Sequence, residues 1–159
     1  MKKHLFLVLI LTVCSVSFAQ ETKMSAGLGL EWNMASRHNF AGGTVLNFIY
    51  NLPGSSALGL SVTGSMNFNH IYVFEPAFHV RHYFFQGLLP GSFPHAGFFL
   101  QFGIGTFVAL EDQGTTTMIM SGLAGGFRLP LGTSLFVEPF GRLGYPFAFG
   151  LGAMGGIRF

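Results

Sequence analysis

Charge is what this sequence has least of. Of its 159 residues only 9% are Asp, Glu, Lys or Arg, while 50% are hydrophobic. A water-facing surface ordinarily carries about 25–35% charged residues, so the composition speaks against a soluble globular domain. Cysteine is nearly absent too: Cys14 is the one example, and it lies in the N-terminal leader. An exported chain without it has no disulfide to rely on. Past residue 19 no apolar run approaches the ~18 residues of a membrane helix, which excludes helical spans. Spacings of His with a carboxylate that would hold a metal are also missing, so no metal and no cofactor are expected.

The first residues read as an address. Met1-Lys2-Lys3-His4 is followed by the apolar stretch Leu5–Val13 and then Ser17-Phe18-Ala19. A positive start, a short apolar core and small residues at a cut define a secretory signal peptide, with cleavage expected after Ala19. The apolar core is about half the length of a span. A lipoprotein leader built on Cys14 is disfavoured by the bulky Val13 before it. The formal charge of +2 belongs to Lys2 and Lys3; Lys23 and five Arg balance five Glu and one Asp in the remainder. The basic pI of 8.9 therefore gives no reason to expect nucleic acid as a partner.

What is present in quantity is glycine, phenylalanine and a period of two. In Phe147–Phe159, alternate residues are Phe, Phe, Leu, Ala, Gly, Ile and Phe, and those between are Ala, Gly, Gly, Met, Gly and Arg. Alternation of this kind is a strand signal. The same pattern recurs seven times upstream. Strands are expected at Lys23–Met34, Phe40–Tyr50, Ala57–Asn67, Ile71–Phe85, His95–Leu110, Thr117–Leu129 and Ser134–Tyr145, separated by Gly-, Pro- and Asn-rich turns. Each has the ~9–11 residues that a tilted crossing requires. Pro76 and Pro139 fall inside strands and remove ladder donors, which predicts a bulge or a shortened strand at each.

The charges indicate which face is the inside. Glu31, Glu75, Arg81, Arg128, Glu138, Arg142 and Arg158 all share the Gly/Ser/Asn face, and His79 lies there between Glu75 and Arg81. The other face is greasy and carries Trp32, Phe40, Tyr50, Tyr72, Phe84, Tyr145 and Phe147 near strand ends, as interfacial girdles do. A crowded, polar lumen inside a lipid-facing wall accounts for both faces. The expected fold is all-β: an eight-stranded antiparallel up-and-down transmembrane β-barrel over residues 20–159, preceded by the cleaved leader 1–19.

On these features, and on the terminal Ile157-Arg158-Phe159, the chain resembles the small outer-membrane barrels of the OmpA/OmpX-like class, with OmpW-like barrels as a further relative. The resemblance implies the outer membrane of a Gram-negative-type (diderm) bacterium, outer-membrane lipid as surroundings and both termini in the periplasm. It also implies that Ile157 and Phe159 form a signal read by the barrel-assembly machinery. The chain departs from the class in its loops. The outer connections near Arg37, Asn69, Gln113 and Pro146 are short, and the longest connection, Gln86–Pro94, falls on the periplasmic side.

Function is less legible. The inward Glu31, Glu75, His79, Arg81, Arg128, Glu138, Arg142 and Arg158 form either an ion-paired filling of the lumen or the constriction of a narrow channel. An eight-stranded interior is about wide enough for side chains alone to fill it. Some barrels resembling this one are lipid-modifying enzymes that use a His with a nearby Ser. Here no His has a Ser two residues on, and no Gly-x-Ser-x-Gly elbow occurs, so no catalytic residue is expected. A structural envelope barrel is the leading expectation. The alternatives are a porin-like channel for small polar or hydrophobic solutes and a surface interaction protein, the last disfavoured by the short loops.

Overall fold

The computed structural model describes residues 23–35, 40–67, 71–85, 95–111 and 114–159. The leader, Arg37, His38, Asn69, His70, the Gln86–Pro94 turn, Asp112 and Gln113 lie outside the described residues, as does the side chain of Phe147.

Eight strands account for almost all of it: β1 (Met24–Ala35), β2 (Phe40–Asn51), β3 (Ser56–Asn67), β4 (Tyr72–Phe84), β5 (Gly97–Glu111), β6 (Gly114–Leu131), β7 (Leu135–Tyr145) and β8 (Phe147–Arg158). They pair in sequence order, each antiparallel to the next, and β8 closes on β1 to leave no sheet edge along the wall. Met24 and Phe159 exchange backbone hydrogen bonds at 3.1 and 2.9 Å, so the last residue is tied to the first strand.

The pairing fixes the tilt. Followed from Trp32 through Gly42, Met66, Tyr72 and Leu110, the ladder reaches Thr115 on β6. Followed the other way, through Leu151 and Gly141, it reaches Gly125 on the same strand. The barrel therefore closes with a stagger of ten residues, from Thr115 to Gly125. Stagger and strand number are linked to tilt, and eight-stranded barrels of this kind lean by about 35–45°.

Alternation sorts the side chains. Leu30, Trp32, Leu60, Phe102, Leu123 and Leu143 stand exposed on the outside, whereas every Glu and Arg between the strand ends points inward. Among the described residues the exposed charges are Lys23 and Glu111, both at strand ends. Tyr50, Tyr72, Tyr145 and Trp32 are exposed near the two rims.

The two prolines act differently from expectation. Neither produces a bulge or shortens its strand. The β4–β5 ladder is interrupted between Phe74↔Val108 and Ala77↔Gly105, and β6–β7 between Gly126↔Phe140 and Leu129↔Val137, with the register unchanged across each gap. On the opposite edges Pro76 still faces Val62, and Pro139 faces Ala153. A missing N–H is lost from one ladder only, and continuous pairing on the other side holds the strand in line. Among the described pairings the register shifts only between Met34 and Ala35, where β1 meets β8.

The rim is uneven at the end away from the termini. β5 and β6 pair out to Glu111↔Gly114, but β6 meets β7 only from Ser121↔Tyr145. Gly114–Met120 thus stand beyond the end of β7, and the wall is low at β7–β8, which Pro146 alone connects.

Candidate functional site in the barrel lumen

Inward residues from five strands, β1, β4, β5, β6 and β7, build two ionic tiers inside the barrel. The tier nearer the chain termini is centred on Glu138 of β7. Arg128 Nε donates to Glu138 Oε2 at 2.7 Å, and Arg81 Nη1 forms an ion pair with Glu138 Oε1 at 2.8 Å. Arg81 also donates from Nε and Nη2 to Gln101 Oε1 at 3.0 and 2.8 Å, and from Nη1 to the Tyr83 hydroxyl at 3.2 Å. Arg128 Nη1 reaches Ser25 Oγ at 3.3 Å.

Rings enclose the two guanidiniums. The Arg81 carbon Cζ lies 3.8 Å from the centre of the Phe99 ring, and that of Arg128 lies 4.1 Å from Phe136, with Tyr83 within 5.7 Å of both. Cation–π contacts of this kind gain strength when desolvated. Both Arg128 and Glu138 are fully buried, at 0% exposure, and Arg81 is at 2%. Apolar side chains complete the filling: Ile49, Ala57, Tyr83 and Phe99 form one cluster, and Val45, Phe136 and Met154 another, with Phe140 against both. Arg158 lies at the terminal end of the lumen, opposite Ser25 in the β1–β8 ladder.

The second tier is centred on a cation. Arg142 of β7 donates from Nη1 to Glu75 Oε2 at 2.8 Å and from Nε to Glu31 Oε1. The two carboxylates come from β4 and β1, so one guanidinium ties three strands together. Space for it comes from Gly150 on the neighbouring strand, where an added Cβ would lie 2.7 Å from Glu31 Oε1 and 3.1 Å from Arg142 Cγ. One tier holds two cations around an anion, and the other two anions around a cation, so charge alternates along the barrel axis.

His79 shares this interior but not its hydrogen bonds. It is buried between the tiers on β4, against Gly59, whose missing side chain leaves the room its ring takes. Neither ring nitrogen has a hydrogen-bond partner among the described residues.

Sequence reading placed these charges on one face but did not assign their partners. It also passed over Ser25, Tyr83 and Gln101, the neutral groups that complete the inner tier. All three have the inward parity of their strands, so the period of two was sufficient to place them beside the charges.

Comparison with solved structures ties this interior to a membrane setting. The chain superposes on Neisserial surface protein A with a TM-score of 0.62 at 10% identity, over 86% of this chain and 96% of that one. It superposes on the N-terminal β-barrel domain of Pseudomonas aeruginosa OprF with a TM-score of 0.58 at 15% identity, over 88% and 100%. The fold is that of the eight-stranded transmembrane barrels. A de novo designed transmembrane β-barrel gives a TM-score of 0.52 at 10% identity, over 88% and 98%. No protein-family model and no curated protein sequence matches the chain.

The transmembrane barrel fold explains the sidedness of the residues. Its outer wall meets hydrocarbon, where an Arg at mid-depth costs about 2–4 kcal/mol, so the charges concentrate in the lumen. There a buried charge needs a partner, and the two tiers supply one for Glu31, Glu75, Arg81, Arg128, Glu138 and Arg142.

Proposed function

We propose that the protein is an integral outer-membrane barrel with a structural role in the envelope, its lumen closed to ions by the Arg81–Glu138–Arg128 tier. The observation that carries this reading is the burial of the whole Arg81–Glu138–Arg128 tier, with the Phe99 ring over Arg81 and the Phe136 ring over Arg128. A water-filled pore needs solvated lining groups; here the charges are consumed by one another and capped by aromatic rings. In this reading the termini face the periplasm, the inner tier is the periplasmic plug, and Ile157 and Phe159 serve as the segment recognised during barrel assembly. The surrounding partner is outer-membrane lipid, in a diderm bacterium. The fold neighbours, both named for Gram-negative surface or barrel proteins, support that location. Short connections at the far end leave little surface for an adhesin.

The test is conductance of the refolded barrel in a planar lipid bilayer, with folding verified by its heat-sensitive gel shift. A silent bilayer is expected. Steady openings that scale with salt would overturn the closed-lumen reading and favour the narrow channel instead.

A further inference from the structure

The inner tier fills the lumen on the terminal side only. Beyond it lies a cavity of about 90 Å³, which extends from Arg81 to Ser121 and Tyr145. Those last two are the pair at which the β6–β7 ladder ends, so the cavity opens at the low part of the rim. It is a blind pocket, with the ionic plug at its base and its mouth on the far side.

Its wall is mostly apolar, with Val45, Phe99, Phe140 and Met154 among its lining. The charges that border it are already engaged: Arg81 with Glu138, and Arg142 with Glu31 and Glu75. An ionic ligand would have to break one of these pairs. Two further polar side chains line the pocket with atoms that have no hydrogen-bond partner among the described residues. They are His79, at both ring nitrogens, and Asn47, at Oδ1. Both residues are more than nine-tenths buried. Buried polar groups are normally satisfied, and a cluster that is not has room for an outside partner.

We propose that this pocket is a binding site for a small uncharged amphiphile. Its apolar body packs on Phe99 and Phe140, and its single hydroxyl-type head exchanges hydrogen bonds with His79 and Asn47. Phenol is the simplest molecule with both parts, since its hydroxyl both donates and accepts.

The experiment titrates phenol into nitrogen-15-labelled protein, folded in micelles, and follows the His79 ring nitrogens and the lumen amides by NMR. Saturable shifts confined to the lumen are expected, with benzene, which lacks the head group, binding at least ten-fold more weakly. Two variants test the site from different sides. Gly103 lines the pocket opposite His79, and a Cβ there meets Phe78 O at 3.6 Å and His79 Cβ at 3.7 Å, both ordinary contacts. Gly103→Leu therefore fills the cavity without backbone strain, and should abolish the saturable shifts while retaining the heat-sensitive gel shift. His79→Phe keeps a ring and removes both nitrogens, and should weaken phenol at least ten-fold. Shifts that rise linearly with phenol, shifts confined to lipid-facing residues, or full-strength binding by whichever variant folds would overturn the proposal. Conductance is a separate readout, so the fate of the closed-lumen reading does not decide this one.

Discussion

The Glu75 carboxylate takes its hydrogen bond from Arg142, 67 positions away, at 2.8 Å, rather than from Arg81 on its own strand. Arg81 pairs instead with Glu138, which shares β7 with Arg142. Both glutamates precede a proline, and each is followed along its strand by an arginine: Glu75-Pro76 with Arg81, Glu138-Pro139 with Arg142. The two segments run antiparallel on opposite parts of the barrel and exchange partners across the lumen. That exchange makes one half of the sequence the counter-charge of the other, and it ties β4 to β7 through the interior as well as through the wall.

The inner tier should be the more sensitive to losing its anion. Glu138→Leu leaves Arg81 and Arg128 buried with no carboxylate between them, and breaking a buried pair from one side costs about 3–5 kcal/mol. Urea titration in lipid bilayers, scored by the heat-sensitive gel shift, should show a loss of that size. Adding Arg128→Met to the same chain should return part of it, because one of the stranded cations is then gone. A single variant as stable as the parent would mean that Glu138 does not neutralise the arginines.

The outer tier reverses the signs. Arg142→Met strands Glu31 and Glu75 together in the barrel, both almost fully buried. A loss of about 3–5 kcal/mol is again expected from removing one side of a buried cluster. Neutralising all three positions, with Arg142→Met, Glu31→Gln and Glu75→Gln together, should recover most of the loss, since apolar or neutral replacements of a whole buried cluster are often tolerated. If the triple variant is no more stable than the single one, Arg142 acts by packing and not by charge.

Much of the fold was readable because a membrane wall imposes a period of two with few exceptions. Leu58, Leu60 and Val62 declared the face of β3, and Phe98, Leu100, Phe102 and Ile104 that of β5. Strand ends were readable to within a few residues. Pro76 and Pro139 misled because a proline reports the loss of one ladder bond and is silent about the ladder on the other edge. Partner choice in the lumen could not be read. Whether Glu75 meets Arg81 or Arg142 depends on the ten-residue stagger from Thr115 to Gly125, which is a property of closure and not of any strand. The cavity was hidden for a related reason: its volume depends on which inward glycines face which rings across the barrel.

The lipid-facing wall gives a prediction that separates this barrel from a water-soluble one. Leu60 lies in the middle of β3, 60% exposed, between Phe48 and Phe78 on the neighbouring strands. In a soluble protein an arginine at so open a site would be nearly neutral. In a bilayer it should cost about 2–4 kcal/mol. Urea titration of Leu60→Arg in bilayers measures the difference, and a neutral result would argue against hydrocarbon at that position.

His95 supplies a pH dependence with a definite sign. It sits just before β5, outside the spanning strands, with Nε2 donating to the Leu52 carbonyl at 3.1 Å and its ring edge-on to Tyr83 at 5.4 Å. Burial is the largest influence on the imidazole and pushes its pKa below the ordinary 6.5; the nearby charges of Arg128 and Arg158 push the same way, against the hydrogen bond to Leu52. The unfolded chain therefore binds a proton more readily than the folded one. Stability from this group is fully present above about pH 6.5 and falls as the solution is acidified below it, by at most about 1.4 kcal/mol per pH unit. Asparagine tolerates the left-handed backbone that His95 adopts, with φ of 64°, and does not titrate. Urea titrations at pH 7.5, 6.5 and 5.5 should then show the parent losing stability relative to His95→Asn on the acid side only. A gap that widens toward alkaline pH would mean that the fold holds the proton and does not exclude it.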